Sequence, residues 1–454
     1  MNQNEIQARD VNRRDFLKGG SVAALLSMLG GVELLAEPEA APAEGAATGD
    51  KLKVGVIGLG PWGREIVTTL LKVPEVEVAA LCDTYPASLR RAAKDVPNAL
   101  QTPDYKAILQ NKDIPAVIVA TPTHKHLEIV LAALKADKQV YCEAPLANTI
   151  EDARAIALAA KTASKLAIFQ AGLQRRADPQ TPFLLKFIRS GAVGQTLFAR
   201  AQCHKKESWR QESANPDREK EVNWRLDKSL SLGLIGERGC HALDQLGCFI
   251  GSLPTAVSGW NSLVLWTEDG RDVPDTVQAM FEFPKGVRLS FDATLGNSFE
   301  AAYEMLYGAN AALMLRDGKA WMFKEVDSPL LDWEVYAHKD TFYKDTGIAL
   351  VVDASKPPPQ IDPADLAIVT SPLFFSLQNF ARNVNDLLVN KKGFIETFGA
   401  DDLDGLIEHL AQKVNHRPAA GYVEGFQATV TAIKANEALL TGQRIVLKPE
   451  WYEV

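Results

Sequence analysis

Leu52-Lys53-Val54-Gly55-Val56-Ile57-Gly58-Leu59-Gly60-Pro61-Trp62-Gly63 runs from a short apolar strand into a glycine-punctuated turn and then into a helix. Gly58, Gly60 and Gly63 have the spacing of the dinucleotide fingerprint. In that turn the first glycine makes the tight bend, the second lets a pyrophosphate approach the backbone, and the third lets helix pack on strand. Unpaired N–H groups and the partial positive charge of the helix N-terminus then face the phosphates. Pro61 suits the first helical turn, where its missing N–H costs nothing. Leu59 and Trp62 complete the turn, and the confirming acid follows. Val76 to Leu81 reads as the second strand and Asp83 stands 20 residues past Gly63, where a carboxylate accepts a ribose 2′-OH. Its charge repels a 2′-phosphate, which favours NAD over NADP, with Arg90 and Arg91 nearby as a counterweight.

From Lys51 to about Gly172 strand and helix patterns alternate. Helices are expected at Pro86 to Asp95, Asp104 to Gln110, about Thr121 to Lys135 and Ile150 to Ala163; strands at Ala116 to Ala120, Gln139 to Cys142 and Leu166 to Gln170. The strands carry no polar alternation, as strands buried on both faces should not. The pattern predicts a doubly wound parallel sheet of the Rossmann type, class α/β, with ligands at the carboxyl ends of its strands. Those ends are Gly58 to Gly63, Asp83, Thr121 to His126, and Glu143 to Pro145.

The first fifty residues are not expected to belong to the fold. Asn12-Arg13-Arg14-Asp15-Phe16-Leu17-Lys18 precedes a weakly apolar run, Gly19 to Ala36, broken by Glu33, and then an Ala/Pro/Glu-rich stretch to Asp50. This is a twin-arginine export pattern with a candidate cleavage site at Ala41-Pro42-Ala43. The run is too short and polar for a membrane span and has no cysteine for a lipid anchor, so the reading is a periplasmic protein without a stable membrane anchor. The chain then divides into 1–50 (signal and linker), 51–174 (NAD-binding domain) and 175–454 (substrate-binding and oligomerisation α+β domain).

The net charge is −8. Removing a leader ending at Ala43 takes away four basic and six acidic residues, which leaves −6. No basic stripe remains to neutralise phosphates, so nucleic acid is not an expected partner. The five cysteines, Cys82, Cys142, Cys203, Cys240 and Cys248, have neither zinc spacing nor a C-x-x-C pair. No metal site is expected from them.

Beyond Arg175 the pattern changes. Phe183 to Arg189 reads as helix, Thr196 to His204 as strand, and Glu207 to Asp227 as a polar loop. Arg176, His204, Lys205, Trp224 and Arg225 are candidate substrate contacts, with indoles suited to sugar faces and cations to hydroxyls. Gly233 to Gly251 reads as a glycine-flanked helix on which Glu237, His241, Asp244 and Gln245 share one face. Strands follow at Ala256 to Trp266, Thr276 to Phe283, Val287 to Leu295, Ala302 to Tyr307, Ala311 to Leu315 and Ala320 to Phe323, separated by turn residues, as in an antiparallel meander. Asp327 to Ser371, with Pro357-Pro358-Pro359, reads as an irregular arm, and helices at Pro372 to Leu388, Ala400 to Gln412 and Ala420 to Leu440 close the chain.

Four motifs in this order resemble the glucose-fructose oxidoreductase, inositol dehydrogenase and rhizopine-catabolism family: Gly58 to Gly63, Ala120-Thr121-Pro122 with His126, Cys142-Glu143-Ala144-Pro145-Leu146-Ala147, and Gly239-Cys240-His241-Ala242-Leu243-Asp244. The resemblance implies a nicotinamide enzyme acting on a sugar or polyol, with a C-terminal domain built on a large open, mostly antiparallel sheet suited to pairing with a second copy. It places Glu143 on the nicotinamide-side ribose and His241 in the catalytic position, with Glu237 where the family usually has an aspartate. Glu237 or Asp244 would orient the imidazole. One departure stands out: the family's Glu-Lys-Pro is Glu143-Ala144-Pro145 here, so the lysine that handles the hydroxyl proton is absent. Three function classes follow: a dehydrogenase with tightly held NAD, a redox-neutral lyase or glycosidase working through transient oxidation, and a non-catalytic binding protein.

Overall fold

The computed structural model describes residues 51–213, 215–330 and 363–454, with the backbone strands at 339–342 and 345–350. The twin-arginine segment and Pro357-Pro358-Pro359 lie outside the described residues. The first unit comprises β1 (Leu52–Ile57), α1 (Pro61–Leu70), β2 (Val76–Cys82), α2 (Pro86–Ala92), β3 (Leu100–Thr102), α3 (Tyr105–Gln110), β4 (Ala116–Val119), α4 (His126–Lys135), β5 (Gln139–Cys142), α5 (Ile150–Ala163) and β6 (Phe169–Ala171). Its sheet is parallel, ordered β3-β2-β1-β4-β5-β6. The strand order reverses between β1 and β4, and the crevice beyond their carboxyl ends is where such sheets take ligands. All four residues of β4 and of β5 are buried, which is why neither shows alternation. β3 was not expected; only three residues long, with two exposed, it has no legible period.

The second unit contains α6 (Gln180–Arg189), β7 (Thr196–His204), α7 (Pro216–Val222), α8 (Cys240–Ile250), β8 (Ala256–Ser262), β9 (Thr276–Glu282), β10 (Arg288–Thr294), β11 (Ala302–Gly308), β12 (Ala311–Arg316), β13 (Lys319–Lys324), β14 (Lys339–Phe342) and β15 (Asp345–Leu350). With β16 (Ile445–Val446) these strands form one sheet ordered β14-β15-β13-β12-β11-β7-β10-β9-β8-β16. The expected meander is interrupted: β7 lies between β10 and β11 and pairs with β10 in parallel, whereas the other neighbours are antiparallel. Two expected irregular stretches also contain structure. β14 and β15 form a hairpin on β13. α7 sits within the polar stretch, started by Asn215, whose side chain accepts from the N–H groups of Asp217 and Arg218.

The chain ends in α9 (Pro363–Val369), α10 (Pro372–Phe398), α11 (Leu403–Lys413) and α12 (Tyr422–Thr441). α10 buries its apolar face on the first unit. Leu373, Phe374, Leu377, Phe380 and Val384 bury themselves among Val54, Val56, Ile66 and Leu81 on one face of the parallel sheet. Gln170 Nε2 donates to the Ser376 carbonyl at 2.9 Å, and Arg382 pairs with Glu75 at 2.7 Å. A late helix thus completes the first unit's core. α12 ties the units together: Thr429 Oγ1 accepts from the Leu146 N–H at 2.9 Å, just beyond Glu143. A Cβ on Gly425 would approach the Ala171 Cβ to 2.7 Å and Leu146 Cδ1 to 3.1 Å. Gly425→Val is therefore expected to overpack this seam and lower stability by about 1–3 kcal/mol, measured by chemical denaturation; an unchanged midpoint would show that α12 is free to move away.

Candidate active site

The fingerprint turn is held by contacts that only glycine permits. Gly58 has φ +95°, and a Cβ there would lie 2.6 Å from the Ala120 carbonyl oxygen. A Cβ on Gly63 would collide with the Gly58 carbonyl oxygen, while the Cβ position of Gly60 is open space. The turn is thus closed behind and open in front, where a pyrophosphate would approach. Asp83 braces it: one carboxylate oxygen accepts from the Leu59 N–H at 2.8 Å and the other from the Tyr85 N–H at 2.7 Å.

In front of the turn lies a cleft of about 940 Å³. Gly58, Gly60, Pro61, Trp62, Gly63 and Asp83 line it on one side, Thr121, Pro122 and His124 at the β4 end, and Trp224 and Arg225 of the second unit opposite. Several polar atoms at or beside this cleft are buried without a hydrogen-bond partner, including Thr121 Oγ1, His124 Nδ1 and Glu143 Oε1. Orphaned groups of this kind call for a ligand or ordered water. Gly172 leaves the room Glu143 needs, since a Cβ there would come within 2.6 Å of its carboxylate. Burial pushes the Glu143 carboxyl up to about 8, against the opposing influence of Trp62, the Ala144 N–H and Tyr141. The glycine cradle, Asp83 and the orphaned Thr121 and Glu143 oxygens fit a nicotinamide dinucleotide.

Not every expected residue reaches the cleft. His126 is buried behind it, with Nε2 2.9 Å from the Thr121 carbonyl oxygen and Nδ1 3.2 Å from that of Leu146, so it braces the β4 and β5 loops against each other. Arg176 makes a two-pronged pair with Asp244, at 2.7 and 2.9 Å, and neither lines the cleft. His204 Nε2 is 2.5 Å from Asp292 and Lys205 is 2.9 Å from Glu207, both outside its walls. Ala144 packs against Leu232, Cys240 and Ala432.

Glu237 and His241 meet different surroundings. Ile235–Gly239 forms a π-helical turn that runs directly into α8. Glu237 turns to Arg225, whose Nε donates to it at 2.8 Å, and to the Thr123 hydroxyl at 3.4 Å. His241 is partly exposed at the start of α8, outside the cleft's lining. Burial, followed by the charges of Arg175 and Arg238, holds its imidazole down to about 4. Asp244, committed to Arg176, does not orient it.

Two further cleft residues matter: His124, inside the expected Thr121 to His126 strand end, and Arg218, outside it. His124, between Pro122 and His126, meets the Trp224 ring edge-on at 5.9 Å, and burial lowers its pKa first among several causes. Arg218, on α7, stands 3.8 Å from Asp83 and lies over Tyr85. The Thr121 to His126 strand end contains His124 without assigning it a role, and nothing local in the sequence sends α7 across to the first unit. Among the described residues no group of His, Cys, Asp and Glu could hold a metal ion, and no helix is long and apolar enough to cross a membrane.

A doubly wound nucleotide-binding sheet joined to a large open sheet, with the cleft between them, defines a two-domain NAD-binding oxidoreductase architecture. Residues 52–171 match the oxidoreductase family with NAD-binding Rossmann fold, and 184–313 match the GFO/IDH/MocA C-terminal domain. The chain belongs to the GFO/IDH/MocA family.

Its relatives include levoglucosan dehydrogenase of Pseudarthrobacter phenanthrenivorans, 28% identical over 271 residues that cover 54% of this chain and 67% of that one. Inositol 2-dehydrogenase of Salmonella typhimurium is 36% identical over 149 residues, 32% of this chain and 44% of its own, so the match spans less than half of that enzyme. Among solved structures, levoglucosan dehydrogenase with NADH and levoglucosan superposes with TM-score 0.64 at 19% identity, covering 87% of this chain and 99% of that one. An oxidoreductase domain protein from Kribbella flavida gives 0.65 at 21%, covering 88% and 100%.

The Arg176–Asp244 pair is expected to be structural. Arg176→Ala should cost about 3–5 kcal/mol by stranding a buried carboxylate, while Arg176→Ala with Asp244→Leu should recover most of it; equal losses in thermal unfolding would contradict the pairing.

Proposed function

We propose that this protein is an exported, NAD-dependent dehydrogenase of a sugar, polyol or glycoside, with its proton acceptor moved away from position 144. The supporting observation is the dinucleotide cleft, whose far end is walled by Thr121, His124, Trp224 and Arg225. When bound, NAD supplies a nicotinamide that takes a hydride from a carbinol carbon. The chain's own residues do the rest. The buried Trp224 ring backs the Arg225 guanidinium, 4.6 Å from its centroid, and presents that cation toward a sugar's hydroxyls. Glu237 fixes the Arg225 guanidinium and Thr123 fixes Glu237. The hydroxyl proton passes to His241, and a neutral imidazole can accept it directly or through one water. Glu143, protonated near neutrality, faces the nicotinamide-side ribose as a hydrogen-bond donor or acceptor. The relatives named for levoglucosan and inositol support a cyclic polyhydroxylated substrate.

The twin-arginine pattern adds that the protein is exported to the periplasm already folded. Without an NAD pool outside, the cofactor stays bound and is regenerated in place. Changing Arg13 and Arg14 together to lysine should leave the protein in the cytoplasm, read by cell fractionation; unaffected export would remove the localisation.

The absence of a lysine at 144 also favours a second reading, in which oxidation is transient and the sugar is cleaved or eliminated before the hydride returns. A single-turnover experiment separates the readings: mix the NAD-loaded protein with anhydrosugars, inositols and glycosides and follow absorbance at 340 nm together with products. Lasting absorbance supports net oxidation, cleavage without it supports the redox-neutral course, and silence with every compound points to a binding protein.

His241→Ala is expected to lower turnover by about two to four orders of magnitude with NAD still bound, and Asp83→Ala to release NAD. If instead His124→Ala abolishes turnover while His241→Ala does not, the base is His124. Because the His241 pKa is held down to about 4, the imidazole remains unprotonated as pH falls through 6.5. The acid limb it contributes to kcat/KM should therefore lie near pH 4; a limb near 6.5 would exclude it.

A further inference from the structure

The wall facing Asp83 and Tyr85 is not part of the nucleotide-binding unit. It is α7, which belongs to the second unit and is anchored there: Asn223 Nδ2 donates to the Gln211 and Glu219 carbonyl oxygens, both at 2.8 Å, and Arg210 pairs with Glu219 while donating to the Asp269 carbonyl oxygen at 2.8 Å. From α7 Arg218 crosses the cleft. Its side chain is 17% exposed, its Cζ lies 4.6 Å from the Tyr85 ring centroid, and Nη1 donates to Glu221 at 3.0 Å. Nε is buried with no hydrogen-bond partner, and Nη2 stops 3.8 Å from Asp83 Oδ1.

A buried guanidinium N–H without an acceptor is costly. A gap of 3.8 Å is too long for a hydrogen bond, yet one hydroxyl oxygen can sit within about 2.8 Å of both ends. Asp83 has lone pairs left after accepting from the Leu59 and Tyr85 N–H groups. What fits between an acceptor-only carboxylate and a donor-only guanidinium is a group that donates to one and accepts from the other, as a ribose hydroxyl does. Tyr85 and the guanidinium plane beside it offer a stacking face to a purine.

We infer that Arg218 is a cofactor-binding residue supplied by the second domain: it clamps the adenosine half of the dinucleotide from the side opposite Asp83. The inference rests on the dinucleotide reading of the cleft and adds to it a reason for retention. Asp83 and Arg218 sit on different units, so the adenosine end is released only when α7 draws back from the first unit. An enzyme working outside the cytoplasm needs such slow release.

The test uses the mature chain freed of nucleotide and calorimetric titration with NAD, AMP and nicotinamide mononucleotide. NAD binding by the wild-type protein tests the cofactor reading itself; the ratio between variant and wild type tests the clamp. Arg218→Ala is expected to weaken NAD and AMP alike by roughly 10- to 100-fold, the range for a lost hydrogen bond to a charged group, and to speed NAD dissociation, with nicotinamide mononucleotide unaffected. Arg218→Lys, which keeps the charge but not the planar fork, should recover only part of the loss. Unchanged AMP affinity in Arg218→Ala overturns the clamp. So does an equal loss for all three ligands, which would mean that Arg218 supports the cleft generally.

Discussion

The contact of Gly63 with the carbonyl of Gly58 is the constraint on which the rest of the site depends. Helix α1 approaches β1 so closely that no side chain fits between them, and Asp83 fixes the turn by accepting the Leu59 N–H. With that turn set, the open space in front of Gly60 faces the ends of β4 and β5. The loops there are held in turn by His126, between the carbonyls of Thr121 and Leu146, and by Thr429 on the Leu146 N–H. Each support is a hydrogen bond or a steric exclusion acting on the backbone rather than on a catalytic side chain. The cleft's geometry is therefore specified in part by residues behind its walls, His126 and Thr429 among them.

The first unit was largely legible because its signals are local. The fingerprint, the uninterrupted apolar strands and the acid after β2 all lie within short windows, and their placement follows from parallel-sheet topology. The second unit was less so. Strand patterns announced β8 to β13, but nothing in β7 says that it will leave its sequence neighbours and pair in parallel with β10. That choice is made by long-range packing. The same holds for α10, whose apolar face looks like any other amphipathic helix until it is seen covering the parallel sheet.

Within the site, some motif positions line the cleft and others, such as His126, lie behind it. The glycines, Asp83, Thr121 and Pro122 line the cleft as expected. Glu237 is engaged by Arg225 and the Asp244 carboxylate by Arg176, so neither is left to orient His241. A charged side chain pairs with the strongest partner within reach, which here is a guanidinium from another segment. Ala144 marks the functional consequence. Its neighbours Leu232, Cys240 and Ala432 are apolar, and burial comes first among the causes that lower the pKa of both His124 and His241.

The central claim is that one cleft between the two units holds the dinucleotide with its redox end toward Glu143. An experimental structure of the NAD-loaded protein tests it most directly. The account predicts the adenosine ribose between Asp83 and Arg218, the pyrophosphate over Gly60, and the nicotinamide ribose within hydrogen-bond reach of Glu143. A dinucleotide lying in the reverse direction, or bound away from the Gly58 to Gly63 turn, would contradict it.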